Sequence, residues 1–142
     1  MATPWDEIER GVEAPGQTHE GLMALGEQIL ENWLEGRGIT PTEARRESFR
    51  LLALHHQGAR DEPSFNACRE TCRELAWHYN LLKSGGPEEG NAQRLAMMVL
   101  VARHLMYFVR GKMEVAELGE FCCSSRPIRE MDKESLQNQA RG

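Results

Sequence analysis

NAQRLAMMVLVARHLMYFVRGK, residues 91–112, contains no proline and no glycine before Gly111, and its reading decides the fold. At the helical period Leu95, Met98, Val99, Ala102, Leu105, Met106 and Val109 share one face. Met97, Leu100, Val101, Tyr107 and Phe108 carry apolar surface around the rest. A helix that is apolar all round is a buried one, so this segment is expected to be the central helix of an all-α domain. Any surplus apolar surface would face a second subunit.

Upstream, Ser84-Gly85-Gly86-Pro87 ends the preceding segment. That segment is expected to be a helix over 64–83, because Phe65, Cys68, Cys72, Leu75, Tyr79 and Leu82 recur at alternating spacings of three and four. Further back, Thr40-Pro41-Thr42-Glu43 carries the marks of a capping box with proline at the first helical position. It predicts a helix over 41–57, stopped by Gly58. Thr18 is expected to cap a helix over 18–35, with Leu22, Leu25, Ile29 and Trp33 as its stripe and Gly36 and Gly38 as its stop. Thr3-Pro4-Trp5-Asp6 opens a short helix to about Arg10, and residues 113–122 suit another.

The expectation is a helical bundle of four main helices, with short helices at each end, spanning residues 1–123. Residues 124–142 are polar and are read as a flexible tail. Connections of about 4–7 residues favour antiparallel neighbours. No segment alternates strictly between apolar and polar residues, so no sheet is expected.

The chain has 142 residues, enough to bury a core without staples. Its net charge of −5 argues against non-specific nucleic-acid binding, which needs a basic face. Arg45, Arg46 and Arg50 form a stripe, as do Arg69 and Arg73, but Glu43, Glu47, Glu70 and Glu74 interleave with them. The longest apolar run, Leu95 to Ala102, is far short of the ~20 residues that a bilayer crossing needs. MATPWDEIERG has no basic start and apolar run of a secretory signal. A cytoplasmic, reducing location with free thiols is therefore expected. No phosphate-binding loop, dinucleotide fingerprint or hydrolase motif is present, and neither an enzymatic activity nor a cofactor is expected.

The cysteines offer two readings. Cys68 and Cys72 lie on the apolar seam of their helix, where a free cysteine behaves as a small buried hydrophobe. The alternative is a metal- or redox-sensing site built from Cys68, Cys72, Cys122 and Cys123 with a histidine such as His55, His56, His78 or His104. The spacing is not that of a zinc knuckle, and the packed reading is preferred. Among the histidines, His55 and His56 suit the negative end of their helix, and His104 is read as a satisfied core residue.

The aromatic residues exceed what one small core holds. Trp77 and Leu81 lie off the seam of their helix, and Met97, Leu100 and Tyr107 lie off the main face of the long one. These five are taken as a partner-binding surface, since Trp, Tyr and Met are enriched at interfaces. The function expected is that of a small regulatory or adaptor protein, acting as a homodimer or on a protein partner. Sequestering a transcription factor is one form this could take.

Overall fold

The computed structural model describes residues 3–60, 62–85 and 88–116, with the backbone alone of 88 and 89. Among these residues the fold is all-α. Helices α1 (Trp5–Glu13), α2 (His19–Gly36), α3 (Arg50–Ala59), α4 (Arg69–Lys83) and α5 (Glu88–Ala116) follow one another, with a 3₁₀ segment Pro63–Cys68 leading into α4. The expected tail and Cys122–Cys123 lie outside the described residues. No helix among the described residues is long and apolar enough to cross a membrane.

Local chemistry sets most of the boundaries. Thr18 Oγ1 accepts from the Gly21 N–H at 3.0 Å and caps α2 as its sequence suggests. At the other end Gly38 takes φ +77°, and its N–H and that of Ile39 return to the carbonyls of Glu35 and Leu34. This double closure satisfies two orphan carbonyls and needs the left-handed residue that glycine supplies most easily. At the N-terminus, Thr3 does not cap α1. Its N–H and C=O both bond the side-chain amide of buried Asn32, tying the start of the chain to α2. Helix α1 then runs to Glu13 rather than Arg10, because Val12 is buried in the core with Trp5 and Ile8.

The capping-box helix over 41–57 does not form, and only Arg50–Ala59 is helical. Residues 40–49 make a strap over α3. The Gln57 side-chain amide donates to Thr40 O and accepts from the Thr42 N–H, both at 2.9 Å. Arg50 Nε donates to Thr42 O at 2.9 Å, and Thr42 Oγ1 accepts the Ala44 N–H in a local turn. Arg46 and Phe49 exchange two backbone hydrogen bonds across Glu47 and Ser48, at φ +54° and +76°. That is a type I′ turn made without the Asn or Gly it favours. Distant hydrogen bonds have overridden a local helix signal. Gly58, expected as a stop, sits inside α3 under two aromatic rings.

The long helix is longer than 91–112, and it is not the central one. Helix α2 packs against α1, α3, α4 and α5, whereas α5 packs on α1, α2 and α4. Leu22, Ile29, Leu30 and Leu34 of α2 meet the Met98–Ala102–Leu105–Val109 face of α5 in one core. The reason α5 is not central is geometric. Val101 and Phe108 of its apolar surplus pack on the core, while Met97, Leu100 and Tyr107 lie on a side that no element among the described residues covers.

Candidate interaction surface

Met97, Leu100 and Tyr107 are 45%, 52% and 52% exposed, and Val115 is 81% exposed. At about 100° per residue, Met97, Leu100, His104 and Tyr107 fall within a sector of about 80° on α5. The spacing of three, four and three, continued by Gly111, is that of a helix–helix seam. A Cβ at Gly111 would meet nothing within 4 Å, so a partner backbone can come close there. His104, expected in the core, is exposed on this seam.

The nearest charges on one flank are turned away from the seam. Arg103 grips Glu13 of α1 through two bonds of 3.1 Å, and Arg110 reaches Glu9 at 3.3 Å. Those pairs anchor α1 to α5 and leave the outer face apolar.

Trp77 and Leu81 do not join this stripe. Trp77 is 56% exposed and lines an open cleft between α4 and the strap, together with Phe49 and Leu52. Met97, Leu100 and Tyr107 do not line that cleft. Leu81, on the outer side of α4, is partly shielded. His78 is buried on the flank of α4 that senses Arg94 of α5, with its ring edge-on to Trp77 at 5.0 Å. The five residues thus divide between a stripe on α5 and the α4 side, where Trp77 lines a cleft that the α5 residues do not reach.

The cysteine pair lies in the interior. Phe65 is stacked between Trp33, at 4.8 Å, and His55, at 5.4 Å. Its carbonyl accepts from His55 Nε2 at 3.0 Å and from the Cys68 thiol at 3.3 Å. Cys68 and Cys72 are both buried and free. The Cys72 thiol, donating to Cys68, with His55 beside it, holds Cys68 down to about 6. Donating that bond, together with burial, pushes Cys72 well up. An acidified sulfur is a stronger metal ligand and nucleophile, but this one is sealed from solvent. Among the described residues no group of three or more His, Cys, Asp or Glu side chains is placed to hold a metal ion.

Sequence periodicity did not reveal the His55–Phe65–Cys68 cluster. His55 and Phe65 sit on different elements, and only the turn after α3 brings them together. The cleft beside Trp77 was equally hidden, since it exists only because the strap is not helical. No protein-family model matches the chain, and no curated protein or solved structure matches it either.

Proposed function

We propose that this is a non-enzymatic regulatory or adaptor protein that works through protein–protein contact on the outer face of α5, with a second copy of the chain as the occupant. The observation that carries the reading is the uncharged seam of Met97, Leu100 and Tyr107 at helix-pairing spacing, with Arg103 and Arg110 drawn off its flank. Two such seams can pair about a two-fold axis, since an isologous contact needs only one self-complementary patch. Half-exposed side chains of these sizes offer on the order of 400 Å² per protomer, about half of the ~800 Å² that a standard interface takes from each partner. The dimer is therefore weak and concentration-dependent. Pairing covers the seam, so a partner helix competes with the second copy and activity is set by occlusion.

Sedimentation over a concentration series tests this. The expected result is a reversible monomer–dimer equilibrium that Leu100→Glu abolishes with unchanged circular dichroism. A protein that stays monomeric up to about 1 mM, above the micromolar range of weak specific contacts, would overturn it.

A further inference from the structure

We propose that the cleft between α4 and the strap docks a basic segment of a partner protein, with an arginine or lysine side chain laid over the Trp77 indole. The site is independent of the α5 seam.

The cleft has a volume of about 480 Å³. Phe49 and Leu52 give it an apolar wall, and on α4 Glu70 and Glu74 stand one turn apart, with Glu74 one turn before Trp77. Its charge is unbalanced. Among the described residues the cleft's one lining cation is Arg73, and its guanidinium is already committed to both oxygens of Glu47, at 3.1 and 3.4 Å. Glu70 and Glu74 have no ion pair among the described residues. Arg46 and Arg69 lie in the neighbouring groove, beyond Glu47, with His55 and His56. Three carboxylates against one guanidinium leave the cleft with a surplus of negative charge along α4.

The indole supplies the second half of the argument. Two other rings of the molecule show that its aromatic faces take cations: Arg37 and Lys112 lie over Trp33, at 5.3 and 5.7 Å, and Lys83 over Tyr79, at 5.9 Å. Trp77 is more than half exposed, has no cation over it among the described residues, and is steadied edge-on by buried His78. An indole face attracts a guanidinium or ammonium through its quadrupole, and a carboxylate pair fixes the donor end. The aliphatic stem of the same side chain suits the Phe49–Leu52 wall. An acidic segment would be repelled by the carboxylates, and a neutral one would gain only the apolar wall.

The test is calorimetric titration of the full chain with a capped Ala-Arg-Ala-Arg-Ala peptide, and with its glutamate counterpart. Saturable binding of the arginine peptide alone is expected, weakening as salt is raised. Trp77→Ala and the pair Glu70→Gln with Glu74→Gln should each weaken it by about tenfold or more. These residues are exposed, and circular dichroism checks that each variant is folded. Leu100→Glu, which breaks the α5 seam, should leave the affinity unchanged. The proposal is overturned by the absence of saturable binding at millimolar peptide, by equal binding of the glutamate peptide, or by full affinity in either set of variants.

Discussion

Gly58 shows how much one hydrogen can decide. A Cβ there would meet Phe65 Cε2 at 2.9 Å and Trp33 Cδ1 at 3.1 Å, and both rings are buried and stacked on each other. Neither ring can swing aside, so Gly58→Ala should destabilise by about 1–3 kcal/mol, despite the better helix propensity of alanine. The midpoint of urea unfolding reads this. His78 carries a pH dependence. Burial holds its imidazole below its ordinary 6.5, against Glu74 and with help from Arg94. The unfolded chain takes up that proton first, so this contribution is complete above pH 6.5 and is lost as pH falls below it. The urea midpoint should drop between pH 7.5 and 5.5, and His78→Gln should remove part of the drop. For Cys68, thiolate absorbance near 240 nm (a generic thiolate band) should show one sulfur titrating below the ordinary thiol range. That step should be missing from Cys68→Ala.

Among the elements, the strap is the one held against its own local preference, and Arg50 is what holds it. Its Nη1 reaches Glu31 at 2.5 Å and Glu27 at 3.3 Å, while its Nε donates to Thr42 O. One planar group thus joins α2, α3 and the strap from a largely buried position. Lysine supplies charge but not three directed donors. Arg50→Ala should cost about 2–3 kcal/mol in chemical denaturation, and Arg50→Lys should recover less than half of it. The turn at Glu47–Ser48 has the opposite sign. Ser48 at φ +76° pays the steric cost of a left-handed residue, which glycine does not. Ser48→Gly should therefore raise the unfolding midpoint by up to about 1 kcal/mol. A fall instead would mean that residues 40–49 are helical in solution.

For the molecule as a whole, stability and association should separate. Met97, Leu100 and Tyr107 lie outside the core that α2, α4 and α5 enclose. Leu100→Glu should leave the unfolding midpoint within about 0.5 kcal/mol, as surface changes do, while removing the concentration dependence of mass. Leu105→Glu, five residues along the same helix and fully buried, should instead unfold the protein. The contrast between them measures whether the seam serves contact rather than folding.

Residue spacing alone established five things: an all-α chain, the Thr18 cap, the Gly38 stop, the seam that buries Cys68 and Cys72, and the long apolar helix. Each depends on interactions within a few residues, which a period of 3.6 and a cap record directly. The tertiary structure alone decided which helix is central, that residues 40–49 fold back as a strap, and that Trp77 faces a cleft while Met97, Leu100 and Tyr107 are left exposed among the described residues. Those outcomes rest on partners far apart in the chain: Gln57 with Thr40, Arg50 with Glu31, His55 with Phe65. Periodicity gives a side chain an angle around its own helix, but only packing decides which neighbour, or none, stands at that angle.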